Sequence, residues 1–291
     1  MSDAYTISDL NEMRSFSLQR KIQITTTRLI EWYNIYNGQV YLIFDGTPES
    51  RVLAELGAKL FASGLVKENG ALHLVHVRTG TELPELDAYI AAEVDKLSRK
   101  AEVNIDYLEP EHRYDKVITK YGLPAISREV STSISAARRG AAWAIRDLTT
   151  GKYKQYKRIL DSDVKVSPYC CEIMKEQPYN QYEARTGLSR VYPTLAENSE
   201  STQTWVSLGC NSTETRESRP MSFWTRDDIA DYGKFAGIDM PDFPVGCAKC
   251  MFGKSMSYYC DLYANKRYWD ECVVAPGIVS ILDVNGWRFN S

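Results

Sequence analysis

The first third of the chain alternates between helical and extended hydrophobic patterns. Apolar side chains between Leu18 and Tyr36 recur at helical spacing and predict an amphipathic helix. Asn37 and Gly38 follow, and both residue types tolerate the left-handed conformation that closes helices. The short apolar run at 39–44 then predicts a buried strand.

The same alternation continues to residue 108 and indicates the fold class. Strands are predicted at 39–44, 71–77 and 103–108, and helices at 49–61 and 86–97. This strand–helix order predicts an α/β fold with a parallel sheet and right-handed crossovers. Ligands of such sheets bind at the carboxyl ends of the strands, which here are segments 44–50, 78–82 and 108–112.

The second half of the chain is less regular. Its pattern predicts a helix at 133–148 with a basic continuation at 151–160, a strand at 189–196 and a helix at 225–237. Thr225 and Asp228 match a capping box at the start of the last helix. We therefore expect an N-terminal tail (1–16), an α/β domain (17–238) and a loop-rich, cysteine-containing C-terminal segment (239–291) packed on the same domain.

Composition places the chain among soluble globular proteins. Of its 291 residues, 44% are hydrophobic and 25% charged, and the net charge of -3 gives no global case for a nucleic acid or an anionic membrane. No run of 18 apolar residues predicts a membrane span, and the polar N-terminus lacks the apolar core of a signal peptide. We expect a cytoplasmic protein with no membrane partner and an oligomeric state that the sequence does not give.

Four of the seven cysteines form two pairs. Cys170 and Cys171 are adjacent, and Cys247 and Cys250 form a CxxC pair after 75 intervening residues. In a reducing compartment clustered cysteines more often bind metal or do redox chemistry than form disulfides. Four thiolates match a four-iron cluster, whereas adjacent cysteines are awkward on one tetrahedral zinc. Buried packing residues and a redox dithiol remain the alternatives.

The stretch "YLIFDGTPESRVLAELG" (41–57) predicts a strand, a tight loop and a helix. This layout usually holds a phosphate at the helix N-terminus. The loop 45–50 nevertheless carries two acids, a proline and a single glycine. The layout favours a nucleotide-binding loop, and the loop composition argues against one.

Several segments in the same order resemble the phosphoadenosine-phosphosulfate (PAPS) reductase family of the adenine-nucleotide alpha-hydrolase superfamily, and in particular its stand-alone phage and mobile-element type. These segments are "RLIEWYNIYNGQVYLIFDG", "HVRTGTELPEL", "VITKYGLPAISREVS", "SPYCCEIMKEQP", "SLGCNSTETRESRPMSFWT" and "VGCAKCMFG". The resemblance implies a doubly wound parallel sheet. It also implies a [4Fe-4S] cluster bound by Cys170, Cys171, Cys247 and Cys250.

The resemblance also implies an adenine nucleotide, ATP or PAPS, at three motifs. The residues it assigns to nucleotide binding are Gly46, Thr47, Ser50, Arg78, Thr79, Gly80, Glu82 and Glu197. All three motifs depart from the family pattern, which is Ser-Gly-Gly-x-Asp-Ser, then Asp-Thr-Gly, then Glu-Ser-Arg. In the first, Asp45 brings negative charge toward an anion, Pro48 removes an N–H donor, and Thr47 adds a Cβ where a positive φ is expected.

Two functional hypotheses follow. The first is an enzyme that performs sulfonucleotide reduction or sulfur or adenylyl transfer, with a thioredoxin-type reductant or a nucleic-acid or protein partner. Its candidate nucleophile is Cys272, although the histidine of the family tail does not follow that residue. The second is a non-catalytic pseudoenzyme that carries the [4Fe-4S] cluster and acts as a binding or assembly subunit.

A basic segment at 138–158 contains Tyr153 and Tyr156 among its cations. Such a segment is a candidate surface for phosphates and stacked bases. A solvated helix face is the commoner explanation of a charge run and is favoured from the sequence.

Overall fold

A computed structural model describes residues 5–66, 70–248, 250 and 252 of the chain. The chain divides into two compact units. Of the described residues, the first unit comprises those between 5 and 76, 85–108 and 181–242, and the second comprises 77–84, 109–180, 243–248, 250 and 252. The expected boundaries at residues 16 and 238 stay a prediction.

The described helices and strands follow the order of the sequence pattern in the first half of the chain. The helices are α1 (Ile7–Arg14), α2 (Leu18–Ile35), α3 (Pro48–Ala62), α4 (Glu85–Ser98), α5 (Tyr114–Tyr121), α6 (Arg128–Arg138), α7 (Ala142–Thr149), α8 (Lys157–Leu160), α9 (Tyr169–Cys171), α10 (Gln177–Thr186), α11 (Ser199–Leu208) and α12 (Arg226–Ala236). The strands are β1 (Val40–Ile43), β2 (Leu72–Val77), β3 (Val103–Leu108), β4 (Ser189–Val191), β5 (Asn211–Ser212) and β6 (Glu217–Ser218).

The six strands form one mostly parallel sheet in the order β3-β2-β1-β4-β6-β5. Strand β1 pairs in parallel with both β2 and β4, and Leu42 stands opposite Leu74 on one side and Val191 on the other. Strand β6 is parallel to β4, and β5 runs antiparallel to β6. The α/β fold class is therefore confirmed. The strand order reverses at the β1–β4 boundary, which is the topological switch point of a doubly wound sheet.

Three local predictions need correction. The strand expected at 189–196 ends at Val191, since Pro193 lacks the N–H that would continue the ladder. The helix expected at 133–148 is two helices, α6 and α7, separated at Gly140, which adopts a φ of +88°. The basic continuation at 151–160 is a short 3-10 turn followed by the four-residue α8.

Other local predictions are confirmed. Asn37 and Gly38 have φ values of +49° and +75° just after α2, the left-handed backbone that ends a helix. Thr225 caps α12, and the side chains and backbones of Thr225 and Asp228 form the expected capping box. No helix in the described ranges is both long enough and apolar enough to cross a bilayer.

Helix α3 carries a buried charge network in the first unit. Arg51 and Glu55 are 2% and 0% exposed and are joined at 3.1 Å, and Arg51 also bonds the buried carboxylate of Glu93. Lys100 reaches Glu55 at 2.6 Å. Burial alone would raise the pKa of Glu55, but the hydrogen bonds and charges of Lys100 and Arg51 hold it below its usual value. The network therefore keeps the Glu55 carboxylate ionised and gives both buried carboxylates a cationic partner.

We expect Arg51→Met to lower the free energy of unfolding by about 3–5 kcal/mol, because it leaves the Glu55 and Glu93 carboxylates buried without their guanidinium partner. Urea denaturation at neutral pH measures the loss. Arg99→Met is the matched control, since Arg99 and its partner Asp95 are 73% and 64% exposed and such a pair contributes about 0–1 kcal/mol. Equal losses in the two variants would contradict the importance of the buried network.

Candidate functional site

The loop after β1 lies at the switch point of the sheet. Gly46 has a φ of +84°, and a Cβ there would fall 2.5 Å from Leu86 Cδ1, so only glycine fits. Thr47 has φ -64° and ψ 152° and is the N-cap of α3, with Pro48 at the start of the helix. The expectation of a positive φ at Thr47 is therefore wrong, because Gly46 alone makes the turn.

The backbone donors of this loop are bound by its own side chains. The Asp45 carboxylate accepts from the Thr47 N–H at 3.0 Å and from the Thr47 hydroxyl at 2.6 Å. The Thr47 hydroxyl oxygen in turn accepts from the Ser50 N–H at 3.2 Å. Glu49 bonds its own backbone N–H, and Pro48 has none. Asp45 thus supplies from within the loop the negative charge that a bound phosphate would bring.

The charges around the loop are mainly negative. Burial, together with the negative charges of Asp45 and Glu197, raises the pKa of Glu49, and Arg226 opposes this effect. Arg226 bonds Glu197 at 2.8 Å. Glu197 lies between β4 and α11, on the carboxyl side of β4. These carboxylates oppose a polyphosphate or sulfonucleotide at this position.

The four paired cysteines all belong to the second unit. Cys170 and Cys171 form the end of α9, and the chain continues through a π-helical segment, Glu172–Glu176, into α10. Such π-turns are rare and frequently mark functional positions. Cys170, Cys171, Cys247 and Cys250 are free thiols. The chain therefore presents four sulfur donors within one compact unit.

The two cysteine pairs contact each other. A hydrogen bond between Cys171 and Cys250 is the largest influence lowering the pKa of Cys171, the charges of Lys175 and Arg128 add to it, and burial opposes it. Burial, followed by the charges of Cys171 and Cys247, raises the pKa of Cys170 to about 12. Cys250 Sγ also accepts from the Phe252 N–H at 3.4 Å. The Cys171 thiolate is thus stabilised by its hydrogen bond to Cys250 and by the charges of Lys175 and Arg128.

The loop 78–82, expected to bind nucleotide, contacts the CxxC segment. Thr79 Oγ1 lies 3.8 Å from Cys247 Sγ, and the Thr81 carbonyl accepts from the Ala248 N–H at 2.6 Å. The Glu82 carboxylate accepts from the N–H groups of Thr79 and Thr81 at 3.0 and 3.1 Å, and Glu82 forms a β-bridge with Cys247.

Arg78 and Gly80 complete this loop, and Gly80 has a φ of +72°. The remaining predicted residues, Gly46, Thr47, Ser50 and Glu197, lie in the first unit. Cys272, the candidate nucleophile, and Cys260 lie outside the described residues.

The four paired cysteines supply the number of sulfur donors that a four-iron cluster takes. Within the described part of the chain, no group of three or more His, Cys, Asp or Glu side chains is placed to hold one metal ion. A four-iron cluster has a different requirement, since each cysteine binds its own iron. Four free thiols and an N–H bond to Cys250 match that donor set.

Comparisons with known proteins leave the family open. No protein-family description matches the chain, and no curated protein is similar to it. Among solved structures it is similar to the phosphoadenylyl-sulfate (PAPS) reductase of Candida auris, solved as a phosphate complex, at 10% identity. The match covers 85% of this chain and 98% of that one with a TM-score of 0.39, a likeness too low to assign the chain.

Three charged residues of these sites were not predicted from the sequence. Arg226 bonds Glu197 across 29 residues, and no spacing rule connects them. Arg128 and Lys175 influence Cys171. Lys175 follows the cysteine pair within the same helical run, so a cation four residues after Cys171 was a usable signal.

Proposed function

We propose that the chain is a PAPS-reductase-like iron–sulfur protein that does not bind nucleotide phosphate at loop 45–50. It acts as a cluster-bearing, non-catalytic binding or assembly subunit. The observation that carries this proposal is the hydrogen bonding of Asp45 and Thr47 to the loop's own N–H donors. A loop whose N–H donors are already bonded to its own carboxylate has few donors left for a second anion.

The cluster part of the proposal rests on the second unit. Cys170, Cys171, Cys247 and Cys250 supply four sulfur donors, and Thr79 and Glu82 fix the segment that carries the CxxC pair. Lys175 and Arg128 favour thiolate at Cys171, the form that binds metal. A bound [4Fe-4S] cluster would supply either electron transfer or a structural crosslink among these segments.

The sulfonucleotide-reductase alternative needs an anion site. In the first unit the switch-point loop brings Asp45 and Glu49 near Glu197, with Arg226 already bonded to Glu197. The Coulomb energy of a nucleotide phosphate there is unfavourable. The alternative therefore depends on a substrate bound in some other way.

Anaerobically purified protein should be brown and contain about four irons and four sulfides per chain. Cys247→Ser should lose most of the iron and the associated visible absorption, because it removes one of four thiolate ligands. Iron and sulfide assays with absorption spectroscopy measure this. Cys210→Ala is the matched control, since Cys210 is a buried cysteine of the first unit and should leave the iron content unchanged.

Colourless protein with stoichiometric zinc would contradict the cluster. Equal loss of iron in the Cys247→Ser and Cys210→Ala variants would also count against the assigned ligands, because it would reflect general destabilisation.

Neither ATP nor PAPS should bind the unaltered chain measurably in isothermal titration calorimetry. The double variant Asp45→Ser with Thr47→Gly removes one negative charge and frees the N–H groups of residues 47 and 50. We expect this variant to bind ATP or PAPS measurably, because unit charges 4 Å apart interact by about 1–4 kcal/mol near a protein surface. Asp95→Asn, which removes an exposed carboxylate of α4, should gain nothing.

Submicromolar binding of ATP or PAPS by the unaltered chain would reject the non-catalytic subunit and favour the sulfonucleotide reductase.

A further inference from the structure

A basic surface formed by residues 138–158 lies in the second unit; we call it the α7 surface. It contains seven cationic side chains and one carboxylate, so it carries a net charge of +6 in a chain whose net charge is -3. The cations are Arg138, Arg139, Arg146, Lys152, Lys154, Lys157 and Arg158. The charge of this surface is therefore opposite to that of the chain as a whole.

Some of these cations serve the fold. The Arg138 guanidinium donates to the backbone carbonyls of Ile159, Ser162 and Val164, which ties α6 to α8 and to the chain that follows it. Lys157 pairs with Asp161. These two residues explain part of the charge run without any ligand.

Other cations have no such role. Arg146, Lys154 and Arg158 are exposed, and none forms an ion pair with a carboxylate in the described ranges. Lys152 is also exposed and lies 4.5 Å from the centre of the Tyr153 ring. Concentrating like charges has an electrostatic cost that an anionic partner would remove.

Aromatic rings lie among these exposed cations. Trp143 is 49% exposed and lies three residues before Arg146, on the same face of α7. Tyr153 and Tyr156 pack partly against the apolar cluster formed by α6, α7 and α8, and their ring centres are 6.5 Å apart. The surface thus offers both phosphate partners and stacking faces, the combination used by proteins that bind single strands.

We propose that the α7 surface binds single-stranded nucleic acid. The exposed cations Arg146, Lys154 and Arg158 neutralise phosphates, and Trp143 and the two tyrosines stack on unpaired bases. A duplex keeps its bases stacked on each other and would use only the charges. An anionic membrane fits less well, because Trp143 and Ile145 are the only large apolar side chains that the eight-residue α7 exposes.

The test is fluorescence anisotropy of the full chain with labelled dT20 and rU20 over a range of NaCl concentrations. We expect binding with a slope of log K against log salt of about -2 to -3, as for three or four phosphate contacts on a single strand. Trp143→Ala should weaken binding about tenfold with an unchanged slope, because stacking is insensitive to salt. Trp143→Phe should retain most of the affinity.

The double variant Arg146→Glu with Lys154→Glu should bind dT20 and rU20 more than tenfold more weakly. Its slope of log K against log salt should also be shallower. Lys116→Glu with Lys234→Glu changes the net charge equally at exposed positions outside the α7 surface and should lose less than twofold. Equal losses of affinity in the two double variants would overturn the proposal.

Two further measurements distinguish a single-stranded nucleic acid from a duplex and from an anionic membrane. A 20-base-pair duplex should bind at least tenfold more weakly than dT20, and equal binding would overturn the single-strand assignment. Vesicles containing phosphatidylserine should not bind. Vesicle binding without dT20 or rU20 binding would identify the surface as a membrane contact and reject the proposal.

Discussion

The position of strand β1 in the middle of the sheet is the constraint on which the first unit depends. Its four residues are all buried, and it pairs in parallel with β2 on one side and β4 on the other. A strand buried on both faces carries mainly apolar side chains, and the one polar side-chain group of β1, the Tyr41 hydroxyl, is hydrogen-bonded to Glu183 and Arg190. The end that matters is the carboxyl end, where the strand order reverses and the loop 45–50 begins.

At that end, the α/β fold leaves a group of backbone N–H donors that need hydrogen-bond acceptors. The first N–H groups of a helix have no partner within the helix, and α3 follows β1 immediately. A nucleotide-binding loop leaves those donors for a phosphate. Here Asp45 and the Thr47 hydroxyl accept them, and Gly46 makes the turn that allows it. The loop is therefore stable without a ligand, and its geometry follows from ordinary helix capping.

The sequence predicted the elements well where hydrophobic periodicity was strong. Strands β1 to β3 and helices α2 to α4 lie within about two residues of their predicted bounds. The prediction from hydrophobic periodicity failed where one residue ends a helix. Gly140 divides one predicted helix into two. The contacts of Arg226 with Glu197 and of Thr79 with Cys247 could not be predicted, because residues distant in sequence have no spacing signal.

The distribution of charge determines which part of the chain can bind an anion. At the switch-point loop the carboxylates outnumber the cations, and the cation present is already bonded to Glu197. On the α7 surface the cations outnumber the carboxylates, and Arg146, Lys154 and Arg158 have no described acidic partner. An anion gains free energy only from cations or donors that are not already satisfied. A polyanionic partner of this chain therefore has a physical reason to bind the α7 surface and none to bind the loop that the fold would ordinarily provide.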